Sequence, residues 1–368
     1  MQDAGSFFAT SGSKPCTPAN RFGVDYADVA ARLGPPPAPI TDFHTHVNGT
    51  DASVIWRDVA RLFGIERVVT MVRLCEAPAV RKVLGDMVEF IAFPDFRAPD
   101  RAKAMTEGFI EDIRRFHGDH GATMIKLWNA PRLREFFPGD AGRDMVEFDG
   151  AWRVRHVEEA QRLGMSVMVH IADPDTWFAT KYADAAVYGR KIDHYRGLEV
   201  MLERFRDTTW YAAHMGGYAE DLDFLDGLMA RHPNLRLDTS ATKWVVRELS
   251  KQPRERVLRF FSRWRGRILF GSDIVTTDEH LSPKQGAPAH PMGDLADSPA
   301  SAFTLYASRY AALRLMFETA FEGESPIADP DLMMVDPAAH GPMSAPRLRG
   351  FSMPADLLRV LYHDAAKV

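Results

Sequence analysis

Eight short runs of β-branched and apolar residues alternate along this chain with longer amphipathic stretches. The runs are bounded by Gly, Pro and Asn, which is typical of β-strands. The predicted strands span residues 40–46, 67–72, 89–93, 122–128, 166–172, 210–214, 235–240 and 267–270. Strands that alternate with helices imply a parallel sheet, and eight such units can close into a barrel. The sequence therefore predicts an α/β fold of the TIM-type (β/α)8 barrel class.

The length fits one large domain with an N-terminal extension. The chain has 368 residues, and an α/β barrel of ~250 residues counts as a single domain. Residues 1–38, a Ser-, Gly-, Thr- and Pro-rich arm with a proline-rich lead-in, precede the predicted barrel domain of residues 39–368. Two long irregular segments follow the eighth strand, at 274–299 and 321–350. Loops of that length are usually functional, and the first leaves the carboxyl end of the eighth strand, where barrel enzymes place their chemistry. For the second, the alternative is a simple surface excursion.

Charge and composition argue against several classes of function. Acidic and basic residues are mixed along the chain and leave a net charge of −5. No basic block indicates nucleic acid, and no basic amphipathic helix indicates a membrane surface. Cys16 and Cys75 are the only cysteines, which favours a reduced, intracellular protein. Residues 1–10 lack a signal-peptide pattern, so we expect a cytoplasmic protein that binds a small-molecule substrate, without nucleic acid or membrane as a partner.

A histidine pair ends the first predicted strand. Side chains at positions i and i+2 of a strand point to the same face, so His44 and His46 should project together. Two imidazoles placed in this way can hold one metal ion. Asp42 lies on the same face one step deeper, where its carboxylate could accept a hydrogen bond from a ligand. The alternative is that both histidines are ordinary polar residues at a strand end.

Polar residues also follow apolar runs at the ends of four other strands. They are Lys126 in the fourth, His170 in the fifth, His214 at the end of the sixth and Asp273 just after the eighth. Each has an ordinary explanation when it is considered alone: a core histidine, a lysine that reaches solvent, or an aspartate that caps a helix. In a closed barrel, however, these strand ends converge. Because burying such groups together without a cation would be costly, the set predicts a metal site at the barrel mouth.

In this order and spacing, the motifs resemble those of the amidohydrolase superfamily. The resemblance is to its amidohydrolase-related branch, which includes enzymes like aminocarboxymuconate-semialdehyde decarboxylase, and it runs from about residue 39 to 366. The motifs are Asp42-x-His44-x-His46, His170, His214 with Gly216-Gly217, Asp238-Thr239-Ser240-Ala241, Phe270-Gly271-Ser272-Asp273 and the C-terminal Tyr362-His363-Asp364-Ala365-Ala366.

The resemblance implies a role for each of these polar residues. The implied ligands of a divalent metal are His44, His46, His170 and Asp273. His214 would bind a second metal or contact the water or the substrate carbonyl. Lys126 stands where some members carry a carbamylated lysine between two metals. A single metal is the more usual arrangement in this branch, with Lys126 as a substrate or charge partner. Enzymes of the branch often dimerise, so a homodimer is expected.

We expect a metal-dependent hydrolase. Nitrogen and oxygen ligands without thiolate suit zinc first, with manganese, cobalt or iron(II) as alternatives. A metal with an open position lowers the pKa of its bound water toward ~7. Asp273 would take the water proton and His214 would help to polarise the carbonyl. With Lys126, these are the predicted catalytic residues, and the predicted reaction is hydrolysis of an amide, ester or lactone.

Two other functions remain open from the sequence. The first is nonoxidative decarboxylation, or a related C–C cleavage, at the same metal. Its carboxylate substrate would need cationic clamps and apolar walls: candidates are Arg132, Lys181, Lys243 and Arg247, with Trp128, Trp177 and Trp244. The second is a non-catalytic barrel that keeps the metal for binding alone. His280 and His290 in the first long segment either enter the site or are exposed loop residues.

Overall fold

The computed structural model describes Phe8 and residues 14–138, 143–284, 286–288, 290 and 292–367. Strands lie at all eight predicted places, and further short strands lie in the two long segments. In chain order the strands are β1 (Ile40–Val47), β2 (Ile65–Met71), β3 (Val88–Ala92), β4 (Met124–Trp128), β5 (Ser166–His170), β6 (Trp210–Ala212), β7 (Leu235–Asp238), β8 (Ile268–Leu269), β9 (Val275–Thr276), β10 (Glu322–Glu324) and β11 (Arg347–Arg349).

The main sheet has the strand order β8-β7-β6-β5-β4-β3-β2-β1-β9, while β10 and β11 form a separate antiparallel hairpin. The pairings between β1 and β9 and along β3 to β7 are parallel. Residues 270–274 link β8 to β9, and their backbone continues the pairing with β1. Phe43 N donates to Phe270 O at 2.9 Å, and Asp273 N donates to His44 O at 2.8 Å. The predicted α/β fold of the TIM-type (β/α)8 class is confirmed.

Helices alternate with the parallel strands. They span Tyr26–Leu33, Thr50–Leu62, Ala77–Leu84, Arg101–Ala104, Glu107–His120, Leu133–Phe136, Arg143–Val146, Ala151–Arg162, Asp175–Phe178, Ala185–Tyr188, Lys191–Arg204, Leu222–Arg231, Thr242–Lys251, Arg254–Arg263, Pro299–Glu318, Pro330–Val335 and Ala355–Tyr362. Local sequence explains several boundaries; Pro253, for example, separates two helices because proline cannot donate a backbone hydrogen bond. Among the described residues, none of these helices combines the length and the apolar character needed to cross a membrane.

The chain divides into two compact units. The first contains Met1–Val69, Pro78–Val88 and Thr239–Val368, and the second contains Thr70–Ala77 and Glu89–Asp238. The predicted boundary between an arm and a domain at residue 39 stays a prediction.

The first unit is centred on the long helix Pro299–Glu318, which packs against the helices Tyr26–Leu33 and Thr50–Leu62. Arg314 of the long helix is fully buried. Its guanidinium donates to the backbone carbonyl of Gly34 at 2.8 Å and forms an ion pair with Glu318 at 2.6 Å. Because the buried charge has both a carboxylate and a carbonyl acceptor, burial does not leave it unsatisfied.

The second unit is built on the parallel strands β3 to β7. A buried arginine supports the end of β4, because Arg153 donates to Asn129 Oδ1 at 3.2 Å and to the carbonyl of Trp128 at 3.0 Å. Burial lowers the pKa of Arg153 to about 10, which still leaves it charged at neutral pH. Arg153 thus holds the last residue of β4 and the residue that follows it.

The two long segments are more ordered than the sequence indicates. The segment 274–299 begins with β9 and continues into a turn. In this turn, Asp278 accepts the backbone N–H groups of Thr50 and Ala52 at 3.0 and 2.8 Å. Residues 285, 289 and 291 of the segment lie outside the described residues. The segment 321–350 contains β10, β11 and the helix Pro330–Val335. Strands of two or three residues are too short to leave a pattern in the sequence.

Part of the predicted N-terminal arm is packed rather than loose. Arg21 N donates to the carbonyl of Pro326 at 3.0 Å, and Ala328 N donates to the carbonyl of Pro18 at 2.7 Å. These two bonds fasten residues 14–25 to the segment 321–350. Residues 1–7 and 9–13 of the predicted arm lie outside the described residues.

Candidate metal site

The two histidines of β1 lie together at its carboxyl end, as predicted. His44 is buried and His46 is partly exposed, and their ring centroids are 6.0 Å apart. Ser240 Oγ lies 3.0 Å from Nδ1 of His44. An Nδ1–H that donates to this hydroxyl would leave the lone pair on Nε2, which is the tautomer that a metal ligand needs.

Asp273 completes a three-residue cluster with these histidines. Its Oδ1 lies 3.6 Å from Nε2 of His44 and 3.4 Å from Nε2 of His46. The three candidate ligand atoms all lie within 4.8 Å of one another. Hydrogen bonds between N–H and O usually measure about 2.7–3.2 Å, so these separations are long for direct bonds. Two ligand atoms about 2.1 Å from one tetrahedral ion lie roughly 3.4 Å apart, and the observed spacing fits that geometry.

A turn held by Asp42 places Asp273 beside the histidines. The Asp42 carboxylate accepts the Ser272 backbone N–H at 3.0 Å, the Ser272 hydroxyl at 2.5 Å and the Tyr310 hydroxyl at 2.8 Å. Burial raises the pKa of Asp42 to about 7, against the effect of these donors. These bonds hold the turn that precedes Asp273, which has a left-handed φ of 58°. The predicted hydrogen bond from a ligand side chain to Asp42 stays a prediction.

Gly271 is needed because the backbone approaches the site closely. A Cβ atom at this position would lie 3.1 Å from the Cβ atoms of both His44 and Ser240. Such a separation is tighter than most real Cβ contacts, so a larger residue would push these side chains apart. Thr242 fastens the same turn, since its hydroxyl donates to the carbonyl of Ser272 at 2.8 Å.

In the second unit, Lys126 and His170 share one face of the sheet. The register between β4 and β5 pairs Lys126 with Met168 and Trp128 with His170, and alternate residues of a strand point to the same side. Lys126 is buried and is 2 % exposed. His170 is also buried, and its Nε2 lies 2.8 Å from Oδ1 of Asp173.

His214 lies in a left-handed turn rather than at the end of a strand. We predicted that the sixth strand reaches residue 214, but β6 ends at Ala212, so that part of the prediction is wrong. His214 and Met215 have φ values of 59° and 52°, which end the strand and re-aim the imidazole. Asp238 accepts the backbone N–H of His214 at 2.9 Å and holds the turn. The ring centroids of His214 and His170 are 4.7 Å apart.

Arg247 is not a substrate clamp. It is 2 % exposed and bonds to Glu248 at 2.6 Å, to Asp331 at 3.1 Å and to Asp329. Its guanidinium is therefore used in a buried ion-pair network, and the prediction for this residue is wrong. The carboxylates of Asp329 and Asp331 come more than eighty residues later in the chain, so no local pattern could have indicated them.

The other clamp candidates stay predictions. Arg132 forms an ion pair with Glu135 at 3.3 Å, and Lys181 lies 4.0 Å from the centroid of the Trp177 ring. Burial lowers the pKa of Lys243, and a nearby arginine charge adds to this effect.

The two histidines of the segment 274–299 fasten it. His280 is fully buried, and its ring nitrogens lie 2.8 Å from the Tyr306 hydroxyl and 2.8 Å from the carbonyl of Met292. Of the two alternatives given for His280, that of an exposed loop residue is therefore wrong. The backbone N–H of His290 donates to Glu279 at 2.9 Å.

The sequence did not indicate two residues that hold the predicted ligand His170 in place. Asp173 contacts His170, and Tyr182 donates its hydroxyl to Asp173 at 2.7 Å. The i, i+3 spacing of His170 and Asp173 just after a strand was an available signal. Tyr182 could be placed only from the course of the following loop.

Comparisons with known proteins give only distant likenesses. No family model matches this sequence, and no curated protein matches it significantly. The solved structures that match include a 5-carboxyvanillate decarboxylase from Novosphingobium aromaticivorans with manganese and 4-hydroxy-3-methoxy-5-nitrobenzoic acid, at 10% identity over 74% of this chain and 96% of that chain, with a TM-score of 0.38. Another is an amidohydrolase from Burkholderia multivorans with bound HEPES, at 14% identity over 75% and 93%, with a TM-score of 0.37.

A third match is the HMG-CoA lyase of Bacillus subtilis, at 12% identity over 76% of this chain and 94% of that chain, with a TM-score of 0.38. The decarboxylase and the amidohydrolase are members of the amidohydrolase superfamily, which the sequence motifs resemble. At TM-scores this low, the three likenesses carry no argument about the chemistry of this chain.

Proposed function

We propose that this protein is a metal-dependent hydrolase that acts on an amide, ester or lactone carbon. The observation that carries the proposal is the spacing of three candidate ligand atoms. Oδ1 of Asp273 lies 3.6 Å from Nε2 of His44 and 3.4 Å from Nε2 of His46. These atoms are two nitrogens and one oxygen, a donor set that suits zinc, manganese, cobalt or iron(II). We further propose His170 as the fourth ligand, from its place in the motif order.

The bound metal would supply a water of lowered pKa and a positive charge that stabilises the developing oxyanion. The rest of the chemistry is assigned to side chains of this chain. Oδ1 of Asp273 faces the histidines. We therefore assign Oδ2 as the base that takes the proton of the water and later passes it to the leaving group. His214 is assigned to hydrogen bonding with the substrate carbonyl, where negative charge develops. The buried amine of Lys126 is assigned to the substrate or to the charge balance of the site.

The positions of these groups are set by other residues. Ser240 Oγ lies within hydrogen-bond distance of Nδ1 of His44, and an Nδ1–H that donates to it would present the lone pair of Nε2. The bonds of Asp42 to the Ser272 turn keep Asp273 at its left-handed φ. A site whose ligands are held in this way loses little freedom when the metal binds, which supports tight binding.

The test is turnover by the metal-loaded protein across a panel of esters, lactones and amides. Asp273→Asn keeps the size of the side chain but cannot accept a proton as a carboxylate does, so we expect turnover to fall by roughly 10²- to 10⁴-fold. The matched control is Asp356→Asn, because Asp356 is an exposed residue that pairs with Arg265 at 2.7 Å, and an exposed ion pair contributes little. Near wild-type turnover in Asp273→Asn would show that the base assignment is wrong.

The same panel separates the alternatives. If carboxylate substrates release carbon dioxide and neutral substrates are not hydrolysed, the function is nonoxidative decarboxylation and not hydrolysis. Metal binding without turnover of either kind of substrate would favour a barrel that only binds.

A further inference from the structure

His170 belongs to a buried chain of three polar side chains in the second unit. Its Nε2 lies 2.8 Å from Oδ1 of Asp173, and the Tyr182 hydroxyl donates to Oδ2 of the same carboxylate at 2.7 Å. Asp173 and Tyr182 are each 2 % exposed. Both oxygens of Asp173 therefore have a partner within the protein, and water has little access to either.

The loop after β5 holds this chain in place. Asp173 lies three residues beyond His170 and is followed by Pro174, which starts the helix Asp175–Phe178. The Tyr182 ring is packed among aromatic rings, with centroid distances of 5.6 Å to Trp177, 5.4 Å to Phe178 and 4.9 Å to Tyr188. A hydroxyl on a ring packed on several sides has little freedom to leave the Asp173 carboxylate.

The direct partners of the Asp173 carboxylate are a histidine ring and a phenol, and neither carries a fixed positive charge. Among the described residues, the direct partners of this carboxylate are the His170 ring and the Tyr182 hydroxyl, and neither a lysine nor an arginine pairs with it. Burial, and then the charge of Asp173, raise the pKa of Tyr182, so the phenol stays a neutral donor. A buried carboxylate of this kind is costly unless a cation lies nearby, and a metal on the other nitrogen of His170 would be such a cation.

We propose that Asp173 and Tyr182 are positioning residues that set the tautomer and orientation of His170 as a metal ligand. The inference rests on the proposed function, in which His170 binds the metal. Asp173 accepts the N–H of Nε2, so Nδ1 is the nitrogen that we assign to the metal. Tyr182 fixes the carboxylate in turn. Carboxylates that accept from the second nitrogen of a metal-binding histidine raise its basicity and hold its ring.

The experiment measures metal affinity directly, by competition with a chromophoric chelator for zinc and for manganese. Asp173→Asn removes the charge, and its amide can turn to donate to Nε2, which selects the wrong tautomer. We expect about 10- to 100-fold weaker metal binding in this variant, as for other residues that support metal ligands. Tyr182→Phe leaves the carboxylate charged but less firmly held, so we expect a smaller loss of several-fold.

Two variants of the same loop are matched controls. Tyr188→Phe removes a neighbouring phenol whose hydroxyl donates to Glu135 at 3.0 Å. Asp175→Asn removes a neighbouring carboxylate, which is exposed and bonds to Lys191 at 3.0 Å. Both side chains bond to residues other than Asp173 and Tyr182, and we expect both variants to bind metal as the wild type does.

A second readout does not need metal. In the metal-free protein, the ¹⁵N shifts of the His170 ring, identified by their loss in His170→Gln, should report the tautomer protonated on Nε2. Asp173→Asn should move these shifts toward the other tautomer, whereas a merely structural role would leave them unchanged. If Asp173→Asn does not fold, metal affinity and ring shifts are measured in Asp173→Glu and Tyr182→Phe and compared with those of the wild type.

The outcomes separate the two proposals. A wild-type chain that binds neither zinc nor manganese overturns the proposed function and this inference with it. Wild-type binding with unchanged affinity and unchanged ring shifts in Asp173→Asn and Tyr182→Phe overturns this inference alone. Weaker binding in these two variants, with normal binding in both controls, supports it.

Discussion

The turn that carries His214 depends on Gly217, and Gly217→Ala is the sharpest test of how it is built. Gly217 has a left-handed φ of 70° and lies three residues beyond His214. A Cβ atom there would lie 2.2 Å from the carbonyl oxygen of Ala172 and 2.7 Å from its carbonyl carbon. Both contacts are with backbone, so no side chain can rotate to relieve them.

Two costs add in this variant. An L-residue in the left-handed region costs about 1–2 kcal/mol, and the displacement of packed backbone costs roughly another 1–3 kcal/mol. We therefore expect Gly217→Ala to lower the free energy of unfolding by about 2–5 kcal/mol. The matched control is Gly164→Ala, because Gly164 has a φ of 69° and its Cβ would meet nothing within 4 Å. The control should show the conformational cost of about 1–2 kcal/mol alone.

The assay is urea unfolding of the wild type and both variants, followed by tryptophan fluorescence and circular dichroism. We expect the urea midpoint to fall further in Gly217→Ala than in Gly164→Ala. Because Ala172 follows His170 by two residues, the same displacement should weaken metal binding in Gly217→Ala only. Equal unfolding midpoints in the two variants would refute the close approach on which the argument rests.

Two further predictions concern stability away from the metal. Burial lowers the pKa of His156 to about 3. Its neutral form therefore stabilises the fold above pH 6.5, and this stabilisation is lost as the pH falls from 6.5 toward 3. Between pH 7.5 and 5.5, the free energy of unfolding should fall by roughly 1.4 kcal/mol. His156→Gln, which can still donate to the carbonyl of Thr106, should lack this part of the pH dependence in urea unfolding, and an identical slope in both proteins would contradict the assignment. Asp278→Ala removes the carboxylate that accepts the Thr50 and Ala52 N–H groups at the start of a helix. We expect it to lower the free energy of unfolding by about 1 kcal/mol, measured by thermal unfolding. An unchanged midpoint would mean that this helix cap contributes nothing to stability.

Much of the fold could be predicted because it follows from local pattern. The first strand, predicted at 40–46, is observed as Ile40–Val47, and its period-two alternation places His44 and His46 on one face. An apolar run followed by a Gly-Ser pair predicts that Asp273 lies near these histidines, and the structure places it there. In each of these cases the signal lies within a few residues of the feature that it predicts.

What could not be predicted depends on residues that are distant in the sequence or on unusual backbone. The left-handed φ of His214 ends its strand early, and only Gly216 and Gly217 gave any hint of it. The strand β9 is two residues long and is formed only because β1 offers an edge. The role of Asp42 depends on Ser272, which is 230 positions away in the chain.

The central claim is that one cation is held by His44, His46 and Asp273. Crystals of the protein grown with zinc, and measured on both sides of the zinc absorption edge, test it most directly. We expect one anomalous peak about 2.0–2.2 Å from Nε2 of His44, Nε2 of His46 and Oδ1 of Asp273. Density without a peak among these three atoms, in crystals that hold zinc elsewhere, would contradict it.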